Sequence, residues 1–384
     1  MDLEDKLLMM PGPVPVAPRI LRAMSKPMIN HRSMEFSKIY DDCRKSLKKI
    51  FNTNNDIFVI SGSGTAAMEA AIGCTLGKND SIVAVENGKF GERFKIIASR
   101  YGKVIPAEFE WGESIDLDLV EDKLSEGAKA IAMVHNETST GILNPAEDIG
   151  KLAKKYDALF IMDGVTSIGG DEVMVDKWGV DIAVVGSQKC IGAPPGLSMI
   201  SVSEKAFDLM EGVDSVPYYS DLKAYKKSAD KELTQTPYTP AIPLFYGLQE
   251  SLNIIMEEGM DARINRHRTF AMAVRKAMES MDIEMFPSLN EYSGYSNTVS
   301  AMKAPESING NDLKREMLER GIIIAGGQAH LSGKIFRIGN MGNINANSLL
   351  TTLQSLETVL HKHGHITDFG AGIEAASDVL DKVL

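Results

Sequence analysis

The sequence has little of what marks several protein classes. Its 384 residues include only three cysteines, Cys43, Cys74 and Cys190. They are odd in number and widely spaced, so they form neither a disulfide framework nor a CxxC metal pattern. Reduced thiols in a reducing compartment are the expectation. No apolar run reaches the ~18 residues of a membrane span. Met1-Asp2-Leu3-Glu4-Asp5 lacks the basic start and apolar stretch of a secretory signal, so a cytoplasmic location is expected. Positive charge is outnumbered, with 41 lysines and arginines against 52 aspartates and glutamates. The net charge of -11 argues against a nucleic-acid partner, which needs a basic face, and favours solubility.

What is present is an ordinary globular balance, with 44% hydrophobic and 24% charged residues. The length exceeds one simple core and suits a large domain plus a smaller one. Residues 1–19 carry Pro11, Gly12, Pro13, Pro15 and Pro18 and read as an extended arm laid over something else. Ile39, Cys43, Leu47 and Ile50 give residues 33–50 a helical period. From Asp56 a rhythm starts. Short apolar runs at 57–60, 82–85, 130–134, 158–162, 182–185 and 197–202 alternate with helix-like stretches at 66–76, 117–124 and 149–156. That pattern predicts an α/β fold with a mostly parallel sheet covered on both faces. Residues 215–240 read as irregular. Helices are expected over 244–259 and 264–281, and a packing helix carries Ile373, Ala376, Leu380 and Val383. The expected division is an arm (1–19), a large domain (20–258) and a small α+β domain (259–384).

Ligands of open α/β sheets bind beyond the carboxyl ends of the strands, and several chemically able residues fall there. Ser63-Gly64-Thr65 follows the run at 57–60 and opens a helix. Glycine allows close backbone approach, the helix start attracts anions and the hydroxyls donate, which suits a phosphate. A plain loop–helix connection would look similar. Phe90 follows the run at 82–85 and is placed to stack on a planar ring, or simply to fill core. Asp163 ends Leu159-Phe160-Ile161-Met162, where an unpaired carboxylate is costly. A protonated pyridine nitrogen would satisfy it and become an electron sink; a helix cap is the plainer use. Lys189 follows the run at 182–185 after Gly186-Ser187-Gln188. A desolvated amine there has a lowered pKa and is a nucleophile. Arg337 lies inside Lys334-Ile335-Phe336-Arg337-Ile338-Gly339. Its fork suits a carboxylate, from a substrate or from a structural ion pair.

Taken together, these segments resemble the class V pyridoxal-phosphate (PLP) dependent aminotransferases. The lysine segment from Asp181 to Ser198 carries the resemblance, with Pro11-Gly12-Pro13, Ser61–Ala66, Asn87–Gly91, Glu137–Gly141, Asp163–Ser167, Thr236–Thr239 and Phe336–Gly339 in family order. Within the class, the chain is similar to the alanine–glyoxylate / serine–pyruvate branch and to archaeal broad-specificity aspartate aminotransferases. The resemblance implies PLP transferase fold type I and a homodimer with shared active sites. It implies Lys189 as the Schiff-base lysine and Asp163 as the partner of the pyridine nitrogen. Ser63, Gly64 and Thr65, with Gln188, match the phosphate cup, and Thr138 the position near the ring hydroxyl. Arg337 matches the binder of the α-carboxylate, and Tyr238 and Thr239 the segment reaching the neighbouring subunit's phosphate. Phe90 stands where animal alanine–glyoxylate enzymes carry Trp, and Thr65 replaces a His.

The implied reaction moves an amino group between a small amino acid (alanine, serine or aspartate) and a 2-oxo acid (glyoxylate, pyruvate or 2-oxoglutarate). The alternative is a class V lyase or a cysteine desulfurase, which carries a His before the lysine and a mobile cysteine well after it. Here Gln188 precedes Lys189 and no cysteine follows Cys190. A distal substrate carboxylate needs a second cation, for which Arg32 is a candidate. His361, His363 and His365 have a spacing that a metal could use, but a solvated helix end is the expected reading.

Overall fold

The structure is a computed structural model and describes residues 6–214 and 216–381. Met1–Asp5, read above for a signal, and Val383 lie outside the described residues. The central element is a 7-stranded sheet. Its strands are β1 (Asp56–Ser61), β2 (Ser81–Glu86), β3 (Lys103–Glu108), β4 (Ala130–Val134), β5 (Leu159–Asp163), β6 (Ile182–Gly186) and β7 (Leu197–Val202). They lie in the order β1-β7-β6-β5-β4-β2-β3. Only β7 runs antiparallel, against both β1 and β6. The parallel ladders need long crossovers, and helices supply them on both faces.

Alternation along each strand shows why the runs are continuously apolar. Ile57, Val59, Phe160 and Met162 face one core, and Phe58, Ile60, Leu159 and Ile161 face the other. The first face is covered by helices Met34–Phe51 and Ile242–Glu258, where Phe36, Tyr40 and Phe245 form an aromatic cluster. The second is covered by helices Gly64–Gly73 and Lys89–Ala98 through Ala67, Met68 and Phe94. Cutting a buried side chain such as Phe160 back to Ala would cost about 3–5 kcal/mol.

A further core gathers Phe270, Val274, Phe336, Leu353, Leu380 and their neighbours. It lies among helices Met260–Ser280, Gly310–Glu319, Ala346–Lys362 and Ala371–Leu380 and a 3-stranded sheet of Val299–Lys303, Ile335–Gly339 and Ala325–Gly326. The last helix packs on Met260–Ser280, with Ala376 and Leu380 buried. Helices Ile242–Glu258 and Met260–Ser280 are separated only by Gly259, whose φ of 80° favours glycine.

Several expected boundaries are corrected. The helix expected over 66–76 starts at Gly64 and stops at Gly73. The strand β3 and the helix Lys89–Ala98 had no counterpart in the sequence reading. The stretch 215–240 is not wholly irregular, because Leu222–Ala229 is helical and is capped by the Asp221 side chain. The end of the arm is helical rather than extended. Pro18 opens a helix to Met24, where its missing N–H costs nothing. Before it, Leu7–Leu8 pairs in parallel with Ile322–Ile323, and Gly339 donates its N–H to Met9 at 2.7 Å.

Candidate active site

The carboxyl ends of β1, β4, β5 and β6 open toward one region. After β1 the chain turns through Gly62, and Ser63 precedes helix Gly64–Gly73 in extended conformation. Ser63 is exposed and its hydroxyl makes no capping bond. Gly64 is buried, and a Cβ there would stand 3.0 Å from Val165 Cγ2. Thr65 Oγ1 accepts from Arg93 Nη1 at 3.0 Å, and the Arg93 guanidinium lies 4.6 Å from the centre of the Phe90 ring.

Phe90 sits in the first turn of helix Lys89–Ala98, and that turn is held by a residue the sequence reading passed over. Glu137, fully buried, accepts from the N–H groups of Phe90 (2.9 Å) and Gly91 (3.0 Å) with one oxygen. Its other oxygen accepts from the Ser139 N–H (3.0 Å) and hydroxyl (2.5 Å). A carboxylate at a helix start is electrostatically favoured. Burial nevertheless raises its pKa, against the donors that lower it. Only its place in the Glu137–Gly141 stretch hinted at a use.

Asp163 ends β5 at 2% exposure. Its Oδ1 accepts from the Val165 N–H at 2.7 Å, and no cation pairs with it among the described residues. Burial pushes it up to about 7, although that N–H lowers it. Lys189 lies two residues past the Ser187 turn that follows β6. Burial pushes its amine down to about 8. The charges of Lys189 and Asp163 act on each other, and those of Arg337 and Arg93 act on Lys189. The amine donates to the carbonyl of Pro11, so the arm closes over the lysine. Beside Lys189, Gln188 Oε1 is buried without a partner.

Arg337 projects from strand Ile335–Gly339 and is 5% exposed. It donates to the Thr138 carbonyl at 2.7 Å and twice to the Gly326 carbonyl, at 2.8 and 3.1 Å. Burial pushes it down to about 10, and no carboxylate pairs with it among the described residues. Thr138 Oγ1 is 2.9 Å from Thr166 Oγ1. The region thus gathers a weakly basic amine, an unpaired carboxylate, an unpaired arginine fork and an unpartnered amide oxygen. Such a set fits PLP: an amine for its aldehyde, an acid for its ring nitrogen, and a helix start with hydroxyls for its phosphate.

Other candidates stand apart. The Tyr238 hydroxyl donates to the Tyr218 carbonyl at 2.8 Å, its ring stacks on Tyr219, and Thr239 is exposed. No hydrogen bond joins either to Lys189 or Asp163 among the described residues. Arg32 forms no ion pair among the described residues and binds the Gln235 side chain and the carbonyls of Thr236 (2.7 Å) and Pro237 (3.1 Å). His363 meets Glu316 at 2.7 Å and His365 the Met281 carbonyl at 2.9 Å. No group of three metal donors occurs among the described residues. Cys43, Cys74 and Cys190 are buried, and burial raises each thiol's pKa. None offers the exposed thiolate that sulfur chemistry needs.

The sequence model of the family described as "Aminotransferase class-V" matches residues 20–344. The chain belongs to the class V aminotransferases. That family and its fold are PLP-dependent. An uncharacterized aminotransferase of Methanocaldococcus jannaschii is 44% identical over 386 residues, covering 99% of each chain. A serine–glyoxylate aminotransferase of Arabidopsis thaliana is 35% identical, covering 97% of this chain and 94% of the plant protein. Among solved structures, the ureidoglycine–glyoxylate aminotransferase of Bacillus subtilis superposes with a TM-score of 0.92 at 33% identity, covering 98% of each chain. These aminotransferase matches favour the transaminase reading over a lyase or desulfurase. The α/β architecture, with its large, mostly parallel sheet, is that of the family's PLP-dependent enzymes. No helix among the described residues is long and apolar enough to cross a membrane.

Proposed function

We propose that this class V aminotransferase transfers the amino group of alanine, serine or aspartate to glyoxylate, pyruvate or 2-oxoglutarate in two half-reactions, at a site centred on Lys189. The observation that carries the reading is the half-buried Lys189 amine, its pKa pushed down to about 8, within electrostatic reach of Asp163 and Arg337, two buried charges that form no ion pair among the described residues. Pyridoxal phosphate, when bound, supplies an electron sink for the α-carbon of the amino acid. Lys189 would hold the cofactor through its amine and, with that amine free, would carry the α-proton. Asp163 would keep the ring nitrogen protonated, and Phe90 would stack on the ring. Ser63, Gly64 and Thr65 would receive the phosphate, with Gln188 beside them, and Thr138 would serve the ring hydroxyl. Arg337 binds the α-carboxylate of each acid through its fork.

The enzyme acts as a cytoplasmic homodimer in this reading, and the partner subunit's Tyr238 and Thr239 reach the phosphate. Arg32 supports that arrangement by tying down residues 235–237, just before the pair. The arm (1–19), large domain (20–258) and small domain (259–384) divide the work, with Lys189 on the large domain and Arg337 on the small one. Glyoxylate is the acceptor to test first, because relatives named for serine, (S)-ureidoglycine and L-aspartate donors all use it. The test assays those donors against the three oxo acids with PLP-loaded protein. Transfer with parallel double-reciprocal plots is expected. Absence of oxo-acid formation from every donor would overturn the reading.

A further inference from the structure

We propose that Glu258, Arg263 and Arg266 form a positioning cluster that sets Lys189 and Arg337 in register with one another. The cluster sits where helix Ile242–Glu258 gives way to Met260–Ser280. Arg263 is fully buried, which is unusual for arginine. Its Nη2 donates to the carbonyl of Cys190, the residue after Lys189, at 2.6 Å, and its Nε to the Gly169 carbonyl at 2.9 Å. Its Nη1 donates to Glu258 at 2.7 Å.

The same carboxylate continues to the other half of the site. Arg266 donates to Glu258 at 2.6 and 3.1 Å, and also to the carbonyls of Gly342 (3.0 Å) and Ile344 (3.1 Å). Those carbonyls lie just past strand Ile335–Gly339, which carries Arg337. His267, the residue after Arg266, accepts the Gly342 N–H at 3.0 Å. The two loops also lie close together, because a Cβ on Gly342 would stand 3.4 Å from the Lys189 carbonyl. One carboxylate thereby links the main chain beside the lysine to the main chain below the arginine.

Two arginine forks fix angles as well as distances, which a flexible cation does not. Ion pairs of this kind add little stability over well-packed apolar side chains, so geometry is the gain they offer. The inference rests on Lys189 and Arg337 holding cofactor and acid, as proposed above. It assigns the two arginines different consequences. Arg263 acts on the lysine side and Arg266 on the acid side, while Glu258 acts on both.

The experiment uses the PLP-loaded full chain, with alanine and glyoxylate as substrates. It reads the pH titration of the Lys189-bound cofactor's absorbance, and kcat and KM separately. Arg263→Met should move the titration midpoint by about half a pH unit and lower kcat roughly tenfold, with KM little changed. Arg266→Gln should raise both KM values roughly fivefold and leave the titration in place. Glu258→Gln should do both, and Arg263→Lys should restore only part of kcat. If Arg263→Met does not fold, Arg263→Lys and Glu258→Gln carry the lysine-side test. Variants that melt earlier but keep the wild-type titration, kcat and KM would overturn the proposal and make the cluster purely structural. A wild-type protein with no Lys189-bound absorbance would instead overturn the proposed function.

Discussion

A Cβ at Gly12 would stand 2.5 Å from Cδ of Lys189 and 2.8 Å from its Nζ, so glycine at this point of the arm makes room for the lysine. Gly12 also holds a φ of +92°, which side-chain-bearing residues rarely adopt. Gly12→Ala should therefore push the lysine aside or lift the arm. We expect a loss of about 1–3 kcal/mol of stability and slower uptake of PLP by the cofactor-free protein. Thermal melting and the growth of cofactor absorbance check this. Unchanged uptake would show that the arm yields without moving Lys189.

The lowered pKa of Lys189 sets a pH dependence. Burial disfavours the ammonium, so the nucleophilic neutral amine exists above about pH 8 instead of above the ordinary 10.5. Falling pH recharges the amine and removes the nucleophile. PLP uptake by the cofactor-free protein should rise about tenfold per pH unit below about 8 and level off above it. A plateau reached only near 10.5 would mean the amine is solvated.

How much of this was legible depends on how each residue does its work. Strands β1 and β5 were readable because both faces are buried and Ile57–Ile60 and Leu159–Met162 are continuously apolar. Strand β3 was not: it lies at the sheet edge, carries Pro106, and only Ala107 along it is buried. The helix Lys89–Ala98 begins in Asn87-Gly88-Lys89-Phe90-Gly91, whose glycines read as a turn. Leu222–Ala229 hides among polar and aromatic residues, with Leu222, Tyr225, Ser228 and Ala229 turned inward. In the site, Lys189, Asp163 and Arg337 stood out as charges set in or just after apolar runs. Pro11 and Gly12 act through a carbonyl and a missing side chain, and Glu137 through local hydrogen bonds, which no pattern announces. The bonds from Arg32 to residues 235–237 were not legible, because those partners are distant in sequence.

Asp163 carries a sharp energetic expectation. If it keeps the ring nitrogen protonated, Asp163→Asn removes the charge that stabilises the carbanion. The barrier should rise by at least ~2.7 kcal/mol, roughly a hundredfold in rate. Steady-state kinetics at matched cofactor content measure this. Near wild-type turnover would reduce Asp163 to a cap for the Val165 N–H.

The dimer reading is tested by complementation. Lys189→Ala subunits are mixed with Tyr238→Phe/Thr239→Ala subunits after exchange is established. Both parents should be impaired, and the mixed dimer should regain one site, with an intact Lys189 from one subunit and an intact Thr239 from its partner. No recovery from two impaired parents would place both lesions in the same subunit's site.

The most direct measurement is borohydride reduction followed by peptide mapping, performed before and after an excess of amino donor without any acceptor. The account predicts reduced cofactor on Lys189 in the resting enzyme. After the donor, it predicts loss of that label and release of about one oxo acid per subunit, as expected if Lys189 is displaced in the first half-reaction. Label on a different lysine, no label at all, or a Lys189 label indifferent to every donor would contradict it.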